Sequence, residues 1–318
     1  MKTIDMIYIN AGGGHRSAAA ALETVIREQA RPWRVRLVDL FEILDPKGIF
    51  LRTTGMKPEA YYNARLARGS TLGLAQELKV LQALIRLSHK SLTTQLQRHW
   101  QKSKPDLVVS LVPNFNRAMY QACNQARPNV PYVTILTDFA DLPPHFWIEP
   151  NQAQHLICGT PKAAAQAHAA GYDGALIHET SGMIVRPDFY AHAPIDRAGE
   201  MRKLGLDPER PTGVVMFGAH GSKVMRSIAK QLRDTQLILM CGHNAALFDE
   251  LHAMSAAGPR AVVGFTPQIR HYMQLGDFFI GKPGPGSIRS ATTPSGSKRT
   301  AWEWCSIPSA TCAAASRR

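Results

Sequence analysis

The chain of 318 residues has little of what marks a secreted, membrane-spanning or metal-clustered protein. Its five cysteines are scattered and form no CxxC pair, which argues against a disulfide framework or a zinc site and fits a reducing compartment. No run approaches the roughly 18 apolar residues of a transmembrane helix. The first residues, MKTIDMIYIN, lack an apolar leader region and a small-residue cleavage site, so we expect no signal peptide.

Acidic residues are also scarce: 24 Asp and Glu stand against 37 Lys and Arg, for a net charge of +13. Residues 52–104 carry much of the excess, with only Glu59 and Glu77 among their acids. This imbalance predicts an anionic partner. Nucleic acid is disfavoured, because there is no basic patch interleaved with aromatics and no recognisable binding motif. Leu74–Trp100 has an amphipathic helical pattern, which fits either an anionic membrane surface or a core-facing helix with a solvated basic face.

Short β-branched runs alternate with helical patterns, which predicts an α/β protein with doubly wound parallel sheets. We expect one domain in residues 1–190, a linker in 191–211, a second domain in 212–288 and an irregular basic tail in 289–318. The predicted strands are Ile4–Asn10, Arg34–Val38, Asp106–Val112, Tyr132–Thr137, His155–Gly159, Ala175–His178, Thr212–Phe217, Gln236–Cys241, Ala261–Gly264 and Asp277–Gly281.

The first strand leads into a glycine loop that contains Gly13, Gly14 and His15. Glycines let the backbone approach a ligand closely, and the following helix start suits an anion. The helix dipole disfavours a positive charge on His15, so a neutral imidazole there could take a proton from a hydroxyl. A tight turn in which His15 only caps or packs fits the same residues.

A second cluster begins where the strand Tyr132–Thr137 ends, which is where ligands collect in parallel sheets. Asp138 and His145 could orient a hydroxyl or each other, and Trp147 could offer an apolar platform. The alternative is that Asp138 caps a loop and Trp147 belongs to the core.

Two further glycine loops follow strands in the second half, at Gly218–Ser222 and Gly284–Ser287. Backbone amides in such loops can cradle a diphosphate. Neither is a Walker A loop, because Lys-Ser/Thr does not follow the glycines at the required spacing.

At these loops the chain resembles the family of monogalactosyldiacylglycerol synthases and processive diacylglycerol glucosyltransferases. The resemblance extends to about Ile288. It rests on AGGGHRSAAAAL (11–22), TDFADLPPHFW (137–147), VRPDFY (185–190), FGAHGSKVM (217–225), CGHN (241–244), GFTPQI (264–269) and YMQLGDFFIGKPGPGS (272–287).

The resemblance implies a GT-B fold, with two Rossmann-like domains facing a cleft. The C-terminal one is expected to be incomplete, because only about four strands are predicted before the pattern changes after Ile288. The resemblance also implies transfer of galactose or glucose from a UDP-hexose to diacylglycerol, with no cofactor or metal, by an enzyme held peripherally on the cytoplasmic, inner face of an anionic membrane. His15 would be the general base, with Gly13, Gly14, Asp138, His145 and Trp147 on the acceptor side. The donor would bind to Gly218, Gly221, Ser222, Asn244, Phe265, Thr266, Gly284, Pro285, Gly286 and Ser287.

The chain departs from this family after Ile288. The family places an acid that holds the donor ribose just after the GPGS loop, whereas here the next acid is Glu303. A frameshift near the Ile288 codon would produce such a change, and we expect weakened donor binding. Two other functions therefore stay open: an impaired remnant that binds only membrane, and a GT-B enzyme acting on a soluble acceptor or on the nucleotide sugar itself.

Overall fold

The computed structural model describes residues 1–10, 13–46, 48, 52, 74–190 and 194–281. The predicted α/β class is confirmed within these residues, because the chain forms two sheets whose neighbouring strands all pair in parallel. The predicted donor residues Gly284, Pro285, Gly286 and Ser287 lie outside the described residues, as does the tail.

The first sheet has six strands in the order β2-β1-β3-β4-β5-β6. The strands are β1 (Lys2–Tyr8), β2 (Trp33–Asp39), β3 (Leu107–Ser110), β4 (Tyr132–Ile135), β5 (His155–Cys158) and β6 (Ile177–Glu179). Each overlaps a run predicted from the sequence, with ends that differ by at most two residues. Because parallel neighbours point the same way, all six carboxyl ends meet at one edge of the sheet.

Helices form most of the crossover connections that parallel pairing requires, although residues 136–154 between β4 and β5 form a loop. The helices are α1 (Gly14–Glu28), α2 (Leu40–Leu44), α3 (Leu74–Leu87), α4 (His89–Ser103), α5 (Asn116–Ala126) and α6 (Pro161–Ala169), with short 3-10 turns at Gly174–Leu176 and Pro187–Phe189. The main core of this sheet includes Ile7 of β1, Leu96 and Trp100 of α4 and Met119 of α5. This core therefore packs against β1, the strand that precedes His15 in the chain.

The second sheet has four strands in the order β10-β7-β8-β9. They are β7 (Thr212–Met216), β8 (Gln236–Gly242), β9 (Arg260–Gly264) and β10 (Phe278–Gly281), with helices α7 (Arg197–Lys203), α8 (Val224–Gln231), α9 (Ala245–His252) and α10 (Ile269–Leu275). The central strands β7 and β8 are buried along almost their whole length. The incompleteness of the second domain stays a prediction, as does the cleft between the two sheets.

The structure places part of the predicted linker in the second unit. Met201 of α7 and Leu206 are buried in the core of the second sheet. Arg197 donates hydrogen bonds to the Leu275 carbonyl oxygen and, at 2.9 Å, to the Asp277 carboxylate. Proline and glycine spacing suggested a loose connection here, but apolar side chains dock α7 onto the sheet.

The single helical pattern over Leu74–Trp100 is wrong in one respect, because two helices form and Ser88 separates them. Serine has a lower helix propensity than the leucines and lysines around it. The two helices also have different surroundings. In α4, Leu96 and Trp100 are fully buried, whereas α3 exposes Leu84 and Leu87.

Candidate active site

The first glycine loop places His15 at the edge where the strands end. Gly13 adopts a left-handed conformation, with φ of 77°, immediately before α1 begins at Gly14. His15, in the first turn, is 7% exposed, and its Nδ1 lies 3.1 Å from the hydroxyl oxygen of Thr137, which follows β4. The first turn of α1 and the loop after β4 are therefore in contact through His15 and Thr137.

Trp147 and Asp138 complete this cluster. The indole N–H of Trp147 donates a hydrogen bond to the Asp138 carboxylate at 2.9 Å. The Trp147 ring lies 6.0 Å from the His15 ring, centroid to centroid. Trp147 is fully buried, so the open apolar platform expected from the sequence is wrong for this conformation. Its indole instead orients Asp138 and packs beside His15.

The buried carboxylate of Asp141 organises the loop that carries these residues. It accepts hydrogen bonds from the backbone N–H groups of His145 (3.0 Å), Trp147 (2.6 Å) and Ile148 (3.4 Å). His145 adopts the left-handed region with φ of 64°, and its side chain is exposed. His145 is therefore held by its backbone rather than packed into the cluster.

The electrostatics beyond Trp147 also reflect burial. Burial raises the pKa of the Glu149 carboxyl above its ordinary value, while the neighbouring His145 and Arg117 side chains oppose that rise. Glu149 lies two residues beyond Trp147, so a partly desolvated acid borders the same loop.

The loops after β7 and β8 come into direct backbone contact in the second unit. Gly218 and Gly221 have φ of 81° and 59°, values that favour glycine. The N–H of His243 donates to the Ala219 carbonyl oxygen at 2.8 Å. A Cβ on Gly242 would lie 2.1 Å from that same oxygen, so only glycine fits at this crossing.

Several predicted donor residues build these loops through their own hydrogen bonds. Asn244 caps α9 by accepting from the Leu247 N–H at 3.0 Å, and its amide donates to the His220 carbonyl oxygen at 3.3 Å. Ser222 is buried, and its hydroxyl oxygen accepts from the Val224 N–H. The Thr266 hydroxyl oxygen accepts similarly from the Gln268 N–H after β9. Their direct contact with a donor stays a prediction.

Aromatic rings cover the edge of this second cluster. Phe265, which follows β9, is 60% exposed and stacks on the His243 ring at 3.8 Å between centroids. The His220 ring lies 6.0 Å from the His243 ring. The ends of β7, β8 and β9 thus bring two imidazoles and a phenyl ring together.

Two cavities lie beside these clusters rather than at them. One of about 720 Å³ lies between α1 and the turn at Pro187–Phe189, and another of about 590 Å³ lies over the ends of β4 and β5. Neither is lined by His15 or Asp138. Across the described parts of the chain, no three His, Cys, Asp or Glu residues are grouped as metal ligands would be. Over the same residues, no helix has the length and apolar character needed to cross a bilayer.

Comparison with known proteins identifies the family. The sequence model of monogalactosyldiacylglycerol (MGDG) synthase matches residues 15–183, more than half of the chain. The chain belongs to the MGDG synthase family. The match contains His15, Asp138, Asp141 and Trp147, but it ends before the second sheet begins.

Individual MGDG synthases extend the similarity into the second unit. The chain is 24% identical to a probable chloroplast MGDG synthase of Glycine max over 309 residues, covering 91% of the chain and 56% of that protein. It is 27% identical to probable MGDG synthase 3 of Oryza sativa subsp. japonica over 312 residues, covering 91% and 59%. The chain therefore spans little more than half the length of these relatives.

Among solved structures, HepE of Anabaena in complex with UDP and glucose gives a TM-score of 0.49 at 15% identity, covering 92% of the chain and 78% of HepE. MurG of Acinetobacter baumannii gives 0.49 at 12% identity, covering 90% and 74%. With both TM-scores below 0.5, the description of the fold rests on the two parallel sheets alone.

Sequence reasoning did not single out Thr137, Asp141, His220 or His243. Each belongs to a quoted motif and lies at the end of a predicted strand or shortly after one, and that position was the available signal. Their roles depend on which loop each side chain meets, which only the folded chain defines.

The loop architecture of this MGDG synthase family member depends on Asp141. Asp141→Ala leaves three backbone N–H groups without their buried acceptor, so we expect a loss of about 2–4 kcal/mol of unfolding free energy. Differential scanning calorimetry of the first unit's transition measures the loss. In the control, Asp173→Ala, an exposed carboxylate that caps a 3-10 turn is removed, at a cost of about 1 kcal/mol. Equal losses would contradict the role of Asp141.

The crossing of the β7 and β8 loops predicts that alanine destabilises the fold more at Gly242 than at Gly205. Gly242→Ala combines a left-handed φ of 61° with a Cβ that meets the Ala219 carbonyl oxygen. Gly205→Ala has a φ of 71° but nothing within 4 Å of the new Cβ. We expect the control to cost about 1–2 kcal/mol from backbone strain and Gly242→Ala to lower the melting temperature clearly further. Similar melting temperatures would show that the loops do not cross this closely.

Proposed function

We propose that the chain transfers a hexose from a UDP-hexose to the hydroxyl of diacylglycerol, with inversion at the anomeric carbon. The observation that carries the proposal is the cluster of His15, Thr137, Trp147 and Asp138 at the strand ends of a chain in the MGDG synthase family. The relatives that the chain matches are named as probable monogalactosyldiacylglycerol synthases, which supports a glycolipid product.

In the proposed reaction His15 is the general base. We assign the Nδ1–H of His15 as the donor to the Thr137 hydroxyl oxygen, 3.1 Å away, which leaves the lone pair on Nε2 to take up the proton. The acceptor oxygen attacks the anomeric carbon as its proton moves to His15, and the bond from that carbon to the diphosphate oxygen breaks. The helix dipole of α1 disfavours a charge on the resting imidazole, which keeps it able to accept the proton.

The glycine loops of the second unit are the proposed donor site. Backbone N–H groups of loops with left-handed glycines can stabilise the charge that develops on a departing diphosphate. The contact between the β7 and β8 loops supports this assignment, because it brings Gly218, Gly221 and His243 to one place. No cofactor or metal enters the proposed reaction, and UDP is the leaving group.

Helix α3 is the proposed membrane-contacting element. It exposes Val80 (60%), Leu84 (55%) and Leu87 (83%) at a spacing that places them on one face. The basic side chains Lys79 and Arg86 are exposed on the same helix. An apolar face bordered by cations is typical of helices that lie in an anionic membrane interface.

Hydrogen bonds connect this helix to the His15 cluster. The Gln82 amide on α3 donates to the Asn114 side chain at 3.2 Å, and the Asn114 N–H donates to the Phe146 carbonyl oxygen at 2.5 Å. Phe146 precedes Trp147 in the chain. The membrane-facing helix therefore adjoins the loop where a lipid acceptor would be received, which supports diacylglycerol over a soluble acceptor. Attachment at the inner face of the membrane stays a prediction.

Glycolipid formation tests the catalytic proposal. The chain is incubated with UDP-glucose or UDP-galactose and diacylglycerol in vesicles, and lipid products are measured by mass spectrometry. We expect a hexosyl lipid product, and a decrease of roughly 10²–10⁴-fold in His15→Ala from loss of the general base. His168→Ala, which changes an exposed histidine on α6, keeps full activity.

Three results would contradict the catalytic proposal. Full activity in His15→Ala would show that His15 is not the general base. Sugar transferred or released only without lipid would favour a soluble acceptor. Vesicle binding without any product would leave the chain as a membrane-binding relative of the enzymes.

Vesicle sedimentation tests the role of α3. The double variant Leu84→Gln/Leu87→Gln removes two exposed leucines without changing charge. We expect roughly 10-fold weaker binding to vesicles that contain phosphatidylglycerol, and weaker binding of the unaltered chain as salt is raised. Val224→Gln changes an exposed apolar residue of the second unit and leaves binding unchanged. Equal binding by both variants would exclude α3 as the contact.

A further inference from the structure

Two exposed imidazoles lie side by side where β7 and β8 end. The rings of His220 and His243 are 6.0 Å apart, centroid to centroid, and are tilted by 42°. His220 lies between Gly218 and Gly221 in the loop after β7, and His243 directly follows Gly242 at the end of β8. Both side chains are exposed, so a ligand at this edge can reach them.

The backbone fixes the two imidazoles relative to each other. The His243 N–H donates to the Ala219 carbonyl oxygen at 2.8 Å, and the Asn244 amide donates to the His220 carbonyl oxygen at 3.3 Å. Gly242 allows this approach, since a Cβ there would collide with the Ala219 oxygen. The imidazoles therefore lie on two loops that cannot easily move apart.

Phe265 sets the orientation of the His243 ring. The two rings stack at 3.8 Å with an interplanar angle of 17°, and Phe265 itself is 60% exposed. An imidazolium is favoured over an aromatic face because of the ring quadrupole. The stack can therefore hold His243 in place in either protonation state and tolerate its positive charge.

Charged groups lie on the helices of the same unit. Arg226 and Glu250 neutralise each other on α8 and α9, and His271 of α10 pairs with Glu200. Burial raises the pKa of the Cys241 thiol to about 11, so it is uncharged at neutral pH. Lys223 immediately precedes α8, Arg270 lies in the first turn of α10 and Asp249 lies within α9.

We propose that His220 and His243 receive the diphosphate of the nucleotide-sugar donor together, and that the pair takes up a proton from solvent when the diphosphate binds. The proposal rests on the donor site under the proposed function and deepens it. An imidazole ordinarily titrates near pH 6.5, so an adjacent dianionic diphosphate can shift it to the charged form. The charged pair would then stabilise the departing UDP.

If the proposal is right, affinity depends on pH only for ligands that carry the diphosphate. UDP-glucose is the suitable probe, because its diphosphate is esterified at both ends and has no phosphate group that titrates near pH 6 as a terminal phosphate does. Uridine shares the base and ribose but lacks the charge. Calorimetry of both ligands at about pH 6 and about pH 8, in buffers of different ionisation enthalpy, measures affinity and proton uptake.

We expect UDP-glucose to bind about 3- to 10-fold more tightly at the lower pH, with net proton uptake at the higher pH. Uridine should bind equally at both. His220→Gln and His243→Gln each reduce this pH dependence, whereas His243→Lys keeps tight binding at both pH values because its charge does not titrate in this range. His252→Gln is the matched control, since His252 also stacks on a phenylalanine, Phe248, within the same unit.

The outcomes separate this inference from the proposed function. Two results would overturn the role of the imidazoles without contradicting the donor site. One is the same pH dependence of binding for uridine and UDP-glucose. The other is an unchanged pH dependence of UDP-glucose binding in His243→Gln and His220→Gln. Binding of neither ligand to a chain that unfolds cooperatively would overturn both the donor site and the inference. Loss of the pH dependence of UDP-glucose binding in His252→Gln would also overturn the role of His220 and His243.

Discussion

Parallel pairing of every strand is the constraint on which the candidate site depends. In a parallel sheet all strands end at one edge, so residues far apart in sequence become neighbours there. His15 and Thr137 are 122 positions apart and lie within hydrogen-bond distance. In the second sheet the same constraint brings His220, His243 and Phe265 together. Both clusters are consequences of strand direction combined with short loops.

Buried polar groups then determine how each loop is held. Asp141 collects three backbone N–H groups, and the Trp147 indole pairs with Asp138. Such charge-assisted bonds are strong inside a protein, and losing one partner leaves the others unsatisfied. Asn244 performs the corresponding task in the second unit by capping α9 and contacting the β7 loop. Rigid loops allow exposed or half-buried side chains to keep a defined geometry.

Much of the fold was predictable, because β-branched runs and helical periods indicate strands and helices directly. His15 and Asp138 were also predictable, since glycines or strand ends precede them. The burial of Trp147 and the role of Asp141 were not, because they depend on loop conformations such as the left-handed φ of His145. The periodicity alone predicted one continuous helix, whereas the structure has two helices separated by Ser88. Met201, in the predicted linker, is buried in the core of the second sheet.

The position of bound UDP tests the account most directly. A crystal structure of the chain grown with UDP shows which strand ends the nucleotide contacts. The account predicts the diphosphate at the loops after β7 and β8, against Gly218, Gly221 and the two imidazoles. UDP bound at the His15 cluster of the first sheet, or elsewhere away from the second sheet's carboxyl edge, would contradict it.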